Sequence, residues 1–128
     1  MASAKANEAG ALPGKSLVVY EPALGIPADV FPCEDGHAQE RALLGAVLET
    51  VQAGQAWMAD RNMCTVGFTC GLDDRWACFV IREHANYPWA SAGPETYVGE
   101  TETGTVYEQP MTVIDDAGRA HAFRRIRV

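Results

Sequence analysis

An acid, a base and an amide stand together at Asp60-Arg61-Asn62, directly after a short apolar run, Ala56-Trp57-Met58-Ala59. An apolar run that stops abruptly in a carboxylate is how a buried strand delivers an acid to a site. Asp60 is therefore the first candidate for chemistry. Its structural alternative is a turn former or helix N-cap. Three other groupings invite the same question. Asp35, His37 and Glu40 offer ligands for a metal, but they also read as a helix start. Asp35 or Gly36 serves there as the cap, and Gln39 and Glu40 sit in the first turn, where the helix dipole favours negative charge. Asp73-Asp74 reads as a solvated polar turn. The four cysteines, Cys33, Cys64, Cys70 and Cys78, have no C-x-x-C spacing and form no zinc pattern with His37, His84 and His121, so they read as reduced, mostly buried thiols.

Composition narrows the setting. At 128 residues the chain is one domain's worth, and 48% hydrophobic against 21% charged residues is a globular balance. No apolar run approaches a membrane span, and residues 1–10 lack the apolar core of an export signal. A cytoplasmic protein is the expectation, with no membrane partner. The net charge of −7 argues against a chain whose main task is gripping nucleic acid, because phosphate binding needs Lys and Arg. The cations are unevenly spread, however: Arg119, Arg124, Arg125 and Arg127 crowd the C-terminus.

The elements that must position Asp60 follow from pattern. Residues 1–11 are small and polar and read as a flexible lead-in. Lys15–Tyr20 is a strand. Pro22 and Gly25 make a turn, and residues 26–33 form an antiparallel edge strand whose Pro27 and Pro32 cannot donate ladder bonds. A helix is expected from about residue 35 to Gln52, with Leu44, Val47, Leu48 and Val51 as its apolar stripe and Gly54 past its end. The strand carrying Asp60 comes next. A short crossover helix starting near Asn62 or Thr65 follows, and then a buried strand from Trp76 to Ile81 that ends in Arg82-Glu83-His84. Beyond a loop rich in Pro, Ala and Ser, three strands are expected at 96–101, 105–114 and 120–128. Glu102-Thr103-Gly104 and Asp115-Asp116-Ala117-Gly118 are their hairpin turns.

Strand, strand, helix, strand with Asp, helix, strand is the RNase H-like order without its first strand. The wording is more specific than the order. Leu12-Pro13-Gly14-Lys15-Ser16-Leu17-Val18-Val19, the stretch from Asp29 to Arg41, Ala59-Asp60-Arg61-Asn62, and Phe79-Val80-Ile81-Arg82-Glu83-His84 resemble the DDE transposases of bacterial insertion sequences, nearest the insertion-sequence four family. The resemblance covers about residues 12–128. It implies an α/β fold: a partial RNase H-like catalytic core over 12–84, and a β-strand insertion over 85–128. It also implies metal-dependent DNA cleavage and strand transfer, in which three carboxylates hold two Mg²⁺ or Mn²⁺ ions. Asp60 matches the second of those acids, so the resemblance implies that it is the catalytic and metal-binding residue. Arg61, Arg82, Arg124 and Arg125 are candidate DNA contacts, with surface solubility and strand-edge protection as their structural alternative. Transposon-end DNA and an intact transposase are the implied partners.

The first acid is expected on a strand before Leu12, and residues 1–11 hold no Asp and no apolar run. The third belongs to Tyr-x-x-Arg-x-x-x-Glu. Tyr20, Tyr87, Tyr97 and Tyr107 are followed three positions on by Ala23, Ala90, Glu100 and Pro110, none of them Arg. The reading is therefore an internal transposase fragment, inactive alone, whose sheet lacks its central strand. Lys15–Tyr20 is expected to re-pair with Ala56–Ala59, or the sheet to split, leaving a marginally stable and association-prone product. The alternatives are a non-catalytic fragment that associates with an intact transposase, or a small unrelated α/β domain.

Overall fold

The computed structural model describes residues 2–8, 15–33 and 43–128. The chain is a mixed α/β protein, mostly strand, with two α-helices and open sheets among the described residues. It divides into two compact units, Met1–Tyr87 and Pro88–Val128. Among the described residues no helix is long and apolar enough to cross a membrane.

The first unit holds β1 (Ala2–Glu8), β2 (Lys15–Glu21), β3 (Ile26–Cys33), α1 (Leu44–Leu48), β4 (Ala56–Ala59), a 3₁₀ turn at Arg61–Met63, α2 (Val66–Asp74) and β5 (Cys78–Ile81). The strands form one sheet in the order β3-β2-β1-β4-β5. β1 runs antiparallel to β2, with Ser3 opposite Tyr20 and Glu8 opposite Lys15. On its other side β1 runs parallel to β4, with Ala2 opposite Trp57 and Ala4 opposite Ala59. β5 continues the parallel set.

This corrects two expectations. Residues 2–8 are a strand rather than a flexible lead-in, and the sheet does not lack its central member. Neither the direct pairing of Lys15–Tyr20 with Ala56–Ala59 nor a split sheet occurs, since both strands pair with β1. The physical reason is that a central strand is fixed by its backbone. β1 supplies donors and acceptors to both neighbours, whose edges would otherwise be unpaired. Its alanines and polar residues give the hydrophobic pattern nothing to register.

β2 and β3 form the expected antiparallel pair, with β3 at the edge. Their turn closes through Gly25, at φ +69°, whose N–H donates to the Glu21 carbonyl at 2.9 Å. The stretch 34–42, including the Asp35, His37 and Glu40 grouping and the expected start of the first helix, lies outside the described residues. Leu44 and Val47 of α1 are buried as the stripe requires, and so is Val51. The helix ends at Leu48, however, rather than near Gln52. Thr50 and Val51 donate to Val47 and Leu48, a tightened i→i−3 closure. Gly54, at φ +82°, turns the chain into β4 instead of capping the helix.

α2 is started by Thr65, whose Oγ1 accepts the Phe68 N–H at 3.2 Å. Asp73 and Asp74, expected in a turn, are its last residues. It ends in a Schellman closure: Ala77 N–H donates to Leu72, and Trp76 N–H to Asp73. Trp76 sits in the left-handed position of that motif, at φ +60°, and is 82% exposed. The expected buried strand therefore begins two residues later, at Cys78. The helix closure rather than strand pairing fixes this tryptophan.

Val19, Leu44, Val47, Val51, Trp57, Met63, Phe68, Leu72 and Ala77 form the core, with Phe79 and Ile81 packed against it. Successive strand residues face opposite sides. Met58 and Val80, on the other face, are exposed. β4 and β5 are thus covered on one face only among the described residues, where the sequence suggested burial on both.

In the second unit, β8 (Gly104–Ile114) is central. It pairs antiparallel with β6 (Ala90–Ser91), β7 (Thr96–Thr101) and β9 (Ala120–Arg127). The three long strands and both hairpin turns fall where the sequence places them; β6 lies in the stretch expected as loop.

Candidate functional site

Asp60 follows β4 directly, at the carboxyl end of a strand whose neighbours on both sides are parallel to it. Its backbone is extended (φ −80°, ψ 177°), and its Oδ1 accepts the Asn62 N–H at 2.9 Å, capping the 3₁₀ turn. Asp60 thus stands at a strand end and caps the turn that follows it. One oxygen caps the turn, and the other makes no hydrogen bond among the described residues.

Arg82 occupies the equivalent place after β5. The ends of β4 and β5 together line an open cleft of about 500 Å³ bounded by Asp60, Arg61, Asn62, Arg82, His84 and Ala85. Of these only His84 is partly buried. Neither the Arg61 nor the Arg82 guanidinium has a carboxylate or carbonyl partner among the described residues. His84 Nδ1 accepts the Asn86 N–H at 3.1 Å. That bond assigns the proton of the neutral ring to Nε2, which remains as a donor. In open α/β sheets ligands bind outside the carboxyl ends of the strands, where the strand order reverses. Here the reversal falls between β1 and β4, beside Asp60.

The cleft offers one carboxylate among the described residues, with two guanidiniums beside it. A pair of Mg²⁺ or Mn²⁺ ions needs several hard oxygen ligands, and this lining does not fit them.

Of the sequence candidates, Asp60, Arg61 and Arg82 come together. Arg124 and Arg125 belong to the second unit and are engaged there. Arg124 Nε donates to Glu108 on the neighbouring strand. Arg125 lies 5.0 Å from the Trp89 ring centroid and 4.0 Å from Glu95. Arg127, stacked over Tyr107 at 4.6 Å, donates to the same Glu95. Hydrogen bonding from Arg127 first, and the Arg127 and Arg125 charges after it, hold the Glu95 carboxyl below its usual range. The sequence reading missed His84. Its signal was present, because Arg82-Glu83-His84 ends an apolar run just as Asp60-Arg61-Asn62 does.

Two further polar groups are structural. Tyr87 is buried, with its hydroxyl 2.7 Å from Thr69 Oγ1, and burial pushes its pKa up to about 12. Asp115 closes the β8–β9 turn. Its carboxylate accepts from the Ala117 and Arg119 N–H groups, both at 2.9 Å, and lies 2.8 Å from Nε2 of buried His121. The His121 bond foremost, then the backbone donors, draws its pKa down to about 2.

The chain matches no protein-family model, and no curated protein matches it.

Proposed function

We propose that this chain is part of a DDE transposase of the bacterial insertion-sequence type, with an RNase H-like core, acting in the cytoplasm on transposon-end DNA. The observation that carries the reading is the place of Asp60: the carboxyl end of β4, flanked by parallel β1 and β5, in a sheet ordered β3-β2-β1-β4-β5. The resemblance of Ala59-Asp60-Arg61-Asn62 to the family's second catalytic acid supports it. In the complete enzyme, Mg²⁺ or Mn²⁺ held by Asp60 and further carboxylates would activate the attacking hydroxyl and stabilise the leaving oxygen of a phosphodiester. With one carboxylate in the cleft among the described residues, the expectation is that the chain alone neither cleaves nor joins strands.

Two measurements test this. Reading the DNA on either side of the coding segment should reveal codons for Tyr-x-x-Arg-x-x-x-Glu downstream; unrelated sequence on both sides would sink the family assignment. Purified chain incubated with supercoiled plasmid and Mn²⁺ should leave it intact. Nicking that disappears in Asp60→Asn would show a self-sufficient nuclease instead.

The exposed face of β4 and β5, with Met58 and Val80, favours a second reading: a non-catalytic piece that associates with an intact transposase. Co-elution of the two proteins in size-exclusion chromatography, lost in Val80→Lys, is its expected signature.

A further inference from the structure

The edge of a sheet exposes unpaired backbone groups, and folds blunt such edges with proline, bulges or very short strands. β3 carries Pro27 and Pro32, β5 and β6 are four and two residues long, and β7 is bulged between Tyr97 and Gly99. β9 has none of these devices. Its eight residues pair with β8 in unbroken register, from Ala120 opposite Ile114 to Arg127 opposite Tyr107. No strand pairs with its other side among the described residues. Arginines can guard an edge, but these are drawn back over their own sheet: Arg124 onto Glu108, and Arg127 onto Glu95 and the Tyr107 ring. The backbone groups on the open side follow from the ladder. Asp115 N–H donates to the Arg119 carbonyl, and bonded and non-bonded pairs alternate along an antiparallel ladder. Ala120, Ala122, Arg124 and Ile126 therefore turn their N–H and C=O groups away from β8. Pro110, which has no N–H to give, stands opposite Arg124, as a non-bonded pair allows.

We propose that this edge docks a second copy of the chain: two β9 strands pair antiparallel about Phe123 and join two four-stranded sheets into one. In that register all four outward residues find a match, Ala120 with Ile126 of the second copy and Ala122 with Arg124 of the second copy. Centring the pair on Ala122 or Arg124 leaves one of the four unmatched in each copy. The side chains argue for the same occupant. Ala120, Ala122, Arg124 and Ile126 share one exposed face, small at the start of the strand and large at its end. A strand graded in this way complements its own reverse, each large side chain lying beside a small one. Charge permits it. β9 holds no Asp or Glu, so two chains of net −7 meet without facing acids. Its three arginines are offset by Glu95 and Glu108. The seam uses neither Asp60 nor the strand-tip cleft, so it goes beyond the reading above and stands or falls without it.

The test is sedimentation equilibrium of the full chain. One strand pair makes a small seam, so a monomer–dimer equilibrium with a dissociation constant of about 1 µM to about 1 mM is expected. Ala122→Pro removes an N–H that the fold of one copy does not use and should weaken the dimer about a hundredfold. Its circular dichroism should match the parent's, because proline is tolerated where the N–H faces away from the ladder. Two further variants decide the matter even if that one fails to fold. Ala122→Lys sets a second cation against Arg124 of the second copy and should weaken the dimer about fivefold, whereas Ala122→Glu sets a carboxylate there and should tighten it about fivefold. Val98→Lys places the same cation on exposed β7 and should associate like the parent. A chain that stays monomeric up to about 1 mM overturns the proposal. So does equal weakening by Ala122→Lys and Ala122→Glu, which removes the register, and so does an equal loss in Val98→Lys, which moves the seam to β7.

Discussion

The two units treat the same residue type in opposite ways. In Pro88–Val128 every arginine has a carboxylate: Arg119 has Asp115, Arg124 has Glu108, and Arg125 and Arg127 share Glu95. In Met1–Tyr87 the two arginines at the strand tips, Arg61 and Arg82, have none among the described residues and line a cleft. The packing differs in parallel. The first unit is held by aliphatic and aromatic side chains around Phe68, Met63 and Leu72. The second unit adds cross-strand ion pairs and arginine-aromatic stacks to a buried set of Met111, Val113 and His121. A cation whose partner is one strand away stabilises a sheet, while a cation left over where strands end is available to a ligand. Arginine counts alone do not separate the two.

Phe68 is fully buried in the first unit, and Phe68→Ala should cost about 3–5 kcal/mol in urea denaturation, followed by fluorescence of buried Trp57. A loss under about 1 kcal/mol would mean that the apolar core is not what holds this unit.

Alkali probes the buried Thr69–Tyr87 pair. The tyrosine ionises near pH 10 when unfolded and only near 12 in the fold, so between those values the unfolded state binds fewer protons. Stability should therefore fall as pH rises from about 10 to about 12, by about 1–2 kcal/mol after allowance for partial solvent access. Tyr87→Phe should remove that alkaline slope; an unchanged slope would exclude Tyr87 as its source.

Trp76→Gly should stabilise the first unit by about 1 kcal/mol, because the left-handed conformation at φ +60° carries no penalty for glycine. A lower melting temperature would show that the indole makes a contact worth more than the strain.

Acid probes the second unit. Asp115 stays ionised in the fold down to about pH 2, whereas an unfolded aspartate protonates near 3.9. The unfolded state thus binds more protons between those values, and stability is lost as pH falls from about 4 to about 2. Asp115→Asn should flatten that acid limb. Persistence of the limb would place its origin in other carboxylates.

The smallest effect should come from Glu95→Gln, which removes the carboxylate that Arg125 and Arg127 share and should move the urea midpoint least of these variants, because exposed ion pairs contribute little. A shift larger than that of Phe68→Ala would mean that ion pairs outweigh the apolar core, and the contrast between the units inverts.

Much of this was legible in the chain itself. Apolar runs and turn residues located β2, β3, β4, β7, β8 and β9, and Thr65 marked the start of α2. An acid after an apolar run marked Asp60. These features are local, set by side-chain periodicity and by which residues tolerate a turn. Tertiary structure alone decided the rest. β1 is a strand because its backbone completes the ladders of β2 and β4, and its small and polar residues announce nothing of that. Trp76 is exposed because the closure of α2 reaches it before β5 begins. Arg82 and Arg124 look alike in sequence, and only strand register gives one a glutamate and leaves the other facing a cleft.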